Sequence, residues 1–191
     1  MKIHFKYTIS IPLLALAACA SPTPPSINAQ DVININAASS RVSALPQTGI
    51  LNLPSASATY LGHIRGMVLG DADGSIIGDM SMSVNFAGNT VSGLVDNVNL
   101  LDAFDVPEQL LGGSLTISGT ETGGQLLASA SGSLSAVGDI AVRGESDVVL
   151  TLAGNVRDDV GTGDAVYGTI TGGAIGDFAV SLSGQFYGSS N

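Results

Sequence analysis

From Ala56 to its end the sequence alternates small or apolar residues with polar ones at a period of two. Tyr60, Gly62, Ile64, Gly66 and Val68 fall on one side of an extended segment, with His63 and Arg65 on the other. Met80, Met82, Val84 and Phe86 oppose Asp79, Ser81, Ser83 and Asn85 in the same way. Further runs cover 91–100, 113–120, 125–136, 139–154, 165–173 and 177–188; the third sets Leu126, Ala128, Ala130 and Leu134 against four serines. Alternation of this kind marks strands with one buried and one wetted face. Turn-forming residues at 71–75, 87–89, 122–124, 158–164 and 173–176 separate the runs at hairpin spacing. About eight antiparallel strands with no long crossover predict an all-β fold, an eight-stranded up-and-down β-barrel whose closure removes exposed edges. One helical segment of one or two turns is expected in a loop over 105–112, where Asp105 and Glu108 have capping-box spacing, Pro107 suits a first turn and Gly112 a stop.

The chain before Ala56 is different. Residues 20–49 hold Pro22, Pro24, Pro25 and Pro46 among Ser, Ala, Asn and Gln, which predicts a flexible, disordered tether with an end-to-end distance of about 30 Å. Within it, 31–37 is the one stretch with the character of a short docking strand. Ahead of the tether, Lys2, His4 and Lys6 give a basic start, and an uncharged, largely apolar run of about twelve residues follows, too short to span a bilayer. It ends in Leu16-Ala17-Ala18-Cys19, which resembles the lipobox of bacterial lipoproteins. The resemblance implies a signal peptide over 1–18 and a lipid on Cys19. Ala20 stands where an aspartate would resemble an inner-membrane retention signal, so the outer membrane is the expected site. The expected organisation is thus signal 1–18, lipidated tether 19–54 and barrel domain 55–191.

Charge narrows the partners. Beyond Cys19, sixteen acidic residues face only Arg41, Arg65, Arg143 and Arg157, a net charge of −12. Such a field disfavours nucleic acid and anionic headgroups. Cys19 is the only cysteine, so no disulfide framework exists and no thiol remains for catalysis or zinc. His63 is the only histidine after the signal, which leaves no histidine pair for a metal site, and no nucleophile elbow or phosphate-binding loop is present. Asp71, Asp73 and Asp79 have carboxylates at alternating positions, as calcium loops do, but Gly74 comes two residues early for an EF-hand. Asp158, Asp159 and Asp164 form a second acidic loop; turn formation accounts for both groups. No catalytic residue, metal or cofactor is expected.

Four segments resemble the barrel domain of transferrin-binding protein B-like surface lipoproteins. Ala58-Thr59-Tyr60-Leu61-Gly62 is similar to the family's opening Gly/Ala-x-Tyr-x-Gly strand, and Val84-Asn85-Phe86 with Thr90-Val91-Ser92-Gly93 to its first hairpin. Leu115 to Thr120 is similar to its Ser-Gly-Thr strand, and Gly184-Gln185-Phe186-Tyr187-Gly188 to its Gly-x-Phe-Tyr-Gly strand. The four lie in family order across 54–188. The family's Phe-Tyr-Gly strand runs on into a further strand, whereas this sequence reaches Asn191, so the last strand is expected to be missing or replaced by 31–37. The resemblance implies a non-enzymatic surface lipoprotein that recognises a protein or small nutrient ligand through barrel loops, in an iron- or haem-uptake type of role. A structural envelope lipoprotein and a calycin-like carrier of an apolar molecule are the alternatives. An interior filled by Met80, Met82, Phe86, Phe178 and Phe186 would argue against the carrier.

Overall fold

The computed structural model describes residues 21–138, 141–159 and 163–190. The expected signal peptide and Cys19 lie outside them. Nine strands, β1 (Ser57–Gly70), β2 (Gly74–Asn85), β3 (Thr90–Leu101), β4 (Pro107–Gly113), β5 (Leu115–Thr122), β6 (Gln125–Ala136), β7 (Gly144–Asp159), β8 (Gly163–Gly176) and β9 (Val180–Ser190), pair antiparallel with their neighbours. β4 and β5 follow one another along a single lane between β3 and β6, broken at Gly113, whose φ of 100° only glycine adopts readily. The result is a ring-like, up-and-down sheet of eight lanes, as the alternation predicts. β9 closes it by pairing with β1 from Tyr60↔Ser190 to Gly70↔Val180. No replacement for a last strand is needed, because β9 already satisfies the free edge of β1.

The inward residues form one apolar core. Tyr60, Ile64 and Val68 of β1 meet Met80, Met82, Leu150, Leu152, Ile170 and Phe186, all at 2% exposure or less, and Phe86 packs at its margin. Large and small residues interlock across the ring. The Phe186 ring lies over Gly154 and Gly168, where an added Cβ would stand 2.7 Å and 2.5 Å from it. Near Phe178 the core leaves a cavity of only about 30 Å³.

Two expectations fail. The segment 105–112 is the end of a turn followed by strand, not helix: Asp105 has a φ of 63° and cannot start a helix, Asp102 instead organises the turn, and the strand begins at Pro107. As strand β4, the segment pairs with backbone at the end of β3 and at Leu134 and Ser135 of β6 that would otherwise lack partners. The second failure is the flexible tether. Ala29–Ser43 forms helix α1, started by a capping box in which the Asn28 side chain accepts from the backbone of Gln30 and Asp31 while Asp31 accepts from Asn28 N–H. The strand character of 31–37 came from Ile33 and Ile35, but the buried set is Val32, Ile35, Ser39 and Val42, spaced as one face of a helix.

That face packs on the outside of the ring, against Ile77, Leu101, Ala165, Tyr167 and Tyr187. The whole segment is a strap. Pro22 sits against Gly138, Leu110 N–H donates to Thr23 O (3.1 Å), and Ser26 exchanges hydrogen bonds with buried Asn99 of β3. The helix then crosses β1, where Asn36 accepts from Arg65, reaches β9, where Ser39 accepts from Gln185, and ends beside the last residue of β7, where Arg41 pairs with Asp159 at 2.6 Å. Past the helix, Thr48 N–H donates to Val156 O and Asp158 N–H to Pro46 O, tying the chain to β7. A single 3₁₀ turn (Ile50–Asn52) delivers Leu53 onto the core at the ring's far end.

Candidate functional site

The residues with the richest chemistry lie on the outward face of β1, where Leu61, His63, Arg65, Met67 and Leu69 alternate with the core residues. Two clefts open along it. One, of about 410 Å³, is lined by Leu61, His63, Asp79, Ser81, Asp96 and Tyr187 among others. The other, of about 710 Å³, lies between Met67, Leu69, Asp73, Asp102 and Asp105, with Arg65 on its wall. Register brings these side chains together: His63 faces Asp79 across β1 and β2, and Tyr187 across β1 and β9.

In the smaller cleft a three-member chain runs from phenol to imidazole to carboxylate. His63 Nδ1 is 3.0 Å from the Tyr187 hydroxyl and Nε2 is 3.3 Å from Asp79 Oδ1. Burial lowers the pKa of His63, and the carboxylate of Asp79 raises it less. The neutral ring then donates from Nε2 to Asp79 and accepts at Nδ1 from the phenol. Burial also pushes the Tyr187 hydroxyl up to about 12, with Arg41 lowering and Asp79 raising it by lesser amounts. A phenol held that firmly in its neutral form is a poor nucleophile. The chain therefore braces three strands to one another. Asn97 donates a further hydrogen bond to Asp79 at 2.9 Å.

In the larger cleft the β3–β4 turn is bound tightly at its base. Asp102 Oδ1 accepts from the backbone N–H of Phe104 and Val106 at 2.8 Å each, and the Asp102 backbone bonds both Asp105 and Val106. Arg65 reaches across to Asp105 at 2.6 Å, and Ser75 donates to the same oxygen at 3.0 Å. Burial alone would raise the Asp105 carboxyl. The hydrogen bonds from Arg65 and Ser75, with the guanidinium charge, outweigh it and leave the group below its ordinary value. The turn holds Phe104 at 87% exposure.

The acidic residues picked out by their spacing are dispersed. Asp71 clamps the β8–β9 turn, accepting from Ala179 N–H at 2.7 Å, while Asp73 lines the larger cleft and Asp79 serves His63. Asp159 pairs with Arg41, and Asp164 accepts from Thr48 at the other end of the ring. Among the described residues no three His, Cys, Asp or Glu side chains converge as a metal site would require. His63 and Arg65 were visible from the sequence; Tyr187, Asn36 and the Asp102–Val106 turn were not. The doublets Ile76-Ile77 and Leu100-Leu101 carried the missing signal, since two successive apolar residues in an alternating strand mean that both faces are covered.

No family model, curated protein or solved structure matches the chain.

Proposed function

We propose that this protein is a non-enzymatic lipoprotein of the bacterial outer membrane, anchored through Cys19, whose ring recognises a protein or small nutrient ligand on its outer surface. The observation that carries this reading is the contrast between a filled interior and a furnished exterior. The 30 Å³ core cavity is far below the roughly 300 Å³ at which small-molecule pockets begin, whereas the clefts on β1 exceed that size. This supports recognition on the outside and argues against an apolar cargo carried within. On the outward faces of β6 and β7, Ser129, Ser131, Asp147 and Thr151 interrupt the exposed Leu127 and Val149, so no continuous apolar band of the kind a membrane-spanning barrel carries crosses these strands. The iron- or haem-uptake role follows from the resemblance to transferrin-binding protein B-like lipoproteins and remains part of the proposal.

The test uses the mature chain from residue 19 onward with Cys19→Ser as bait, because the strap from Pro22 belongs to the fold. Retention of one envelope or host protein, or of haem, that is lost in a bait carrying Leu61→Asp and Leu94→Asp supports recognition at the smaller cleft. Retention of nothing by a folded bait favours a purely structural envelope role. In cells, Cys19→Ser releases the protein from the membrane fraction; persistence there defeats the anchor.

A further inference from the structure

We propose that the ring lies directly on the bilayer, with the end bearing the β3–β4 and β6–β7 turns against the lipid and Phe104 inserted at the headgroup boundary. This rests on the lipoprotein reading above. A free tether would let the ring face any direction. The strap removes that freedom, since Pro22 already packs on Gly138 of the β6–β7 turn and Thr23 is bound by Leu110 of β4. Three peptide units reach at most about 11 Å beyond Pro22, so a lipid on Cys19 would enter the bilayer beside that end of the ring.

The surface beside this point is built for an apolar environment. Phe104 and Val106, 87% and 51% exposed, project from the β3–β4 turn, and Val137, 46% exposed, from the adjoining β6–β7 turn, which Gln109 ties to β4 by a 2.9 Å bond to Val137 O. The fold gains nothing from an aromatic ring in water. Yet the turn carrying it is fixed by Asp102, by the Arg65–Asp105 pair and by Ser75, so Phe104 is presented at little ordering cost. Carboxylates also stand at this end, Asp71, Asp73, Glu145 and Asp177 together with Asp102, Asp105 and Glu108 around Phe104 itself, which selects zwitterionic rather than anionic lipid. The opposite end, with Leu51 at 97% exposure, faces away.

The protein contains no tryptophan, so a single introduced one reports its own surroundings. The lipidated protein is reconstituted into phosphatidylcholine–phosphatidylethanolamine vesicles as Phe104→Trp and, separately, as Leu51→Trp. Expected are a blue-shifted Phe104→Trp emission quenched severalfold more by spin-labelled lipid than by aqueous iodide, and the reverse preference for Leu51→Trp. Phe104→Trp emission open to iodide, or shielded from iodide yet untouched by the lipid quencher as in a contact with another protein, overturns the orientation. Lipid quenching of Leu51→Trp overturns it too. Mass spectrometry of the same preparation separates the two readings: absence of an acyl modification removes the anchor and the orientation together, whereas a lipidated chain with iodide-accessible Phe104→Trp removes the orientation alone.

Discussion

The outer surface of the ring has two halves built from strands of the same alternating pattern. On β6 and the first half of β7 the outward positions, Leu127, Ser129, Ser131, Asp147, Val149 and Thr151, are exposed with no second layer over them. On β2, β3, β8 and β9 the strap covers Ile77, Leu101, Ala165 and Tyr187, and polar outward residues beside it have named partners: Arg65 of β1 with Asn36 and Asp105, Gln185 of β9 with Ser39, and Asp159 at the far end of β7 with Arg41. The inner faces of both halves are alike. What differs is whether a second layer lies outside, and that layer comes from a stretch with the composition of a linker. Composition measures how much apolar mass a segment holds, while docking depends on whether a few apolar residues share one face.

The comparison breaks most readily at the helix. Val42, on the strap's buried face, is 1% exposed, so Val42→Asp should cost about 3 kcal/mol or more, while Ser131→Asp on the bare half should stay within roughly 0.5 kcal/mol. Urea unfolding midpoints measure both, and equal effects would mean that the strap is not part of the cooperative fold. Gly168→Ala, at an inner site, should cost roughly 1–3 kcal/mol by driving a methyl against the β7 backbone at Ala153 O and Gly154 as well as against the Phe186 ring.

A smaller effect is expected for Arg65→Met, roughly 1 kcal/mol, since the pair it breaks is partly solvated. Its signature is local: amide exchange at Phe104 and Val106 should accelerate while the β6–β7 amides do not change. Acid should mimic it. Because the folded Asp105 carboxyl sits below its ordinary value, its contribution is complete above roughly pH 4 and is lost as pH falls through the shifted value. Exchange at Phe104 that is insensitive to both changes would mean that the turn does not depend on the pair.

The smallest effect concerns His63. Its folded imidazole resists protonation, so stability from this site is complete above roughly pH 6.5 and declines as pH falls below that value. An NMR titration should place His63 below the ordinary histidine value, and Asp79→Asn should lower it further by removing the opposing carboxylate. An upward shift in that variant would show that Asp79 does not contact the ring as its 3.3 Å distance indicates.

Residue by residue, the sequence was legible wherever a single periodicity decided the outcome. Alternation alone identified the inward Tyr60, Ile64, Met80, Met82 and Phe186 and the outward His63 and Arg65, because a strand offers only two faces and a core accepts only one kind of residue. Capping chemistry misled: Asp105 with Glu108 has capping-box spacing and starts no helix, whereas the helix that forms is started by Asn28 with Asp31 inside the stretch read as a tether. Local spacing cannot choose between them. Tertiary structure chose, because residues 107–113 had unpaired edges of β3 and β6 to satisfy, while 29–43 had an apolar groove across Ile77, Leu101 and Tyr187 to fill. The Tyr187–His63–Asp79 chain and the Arg65 bridge from strap to turn belong to the same class of outcome. They depend on the register of non-adjacent strands and on a helix from another part of the chain, and those distances come into existence only when the ring closes.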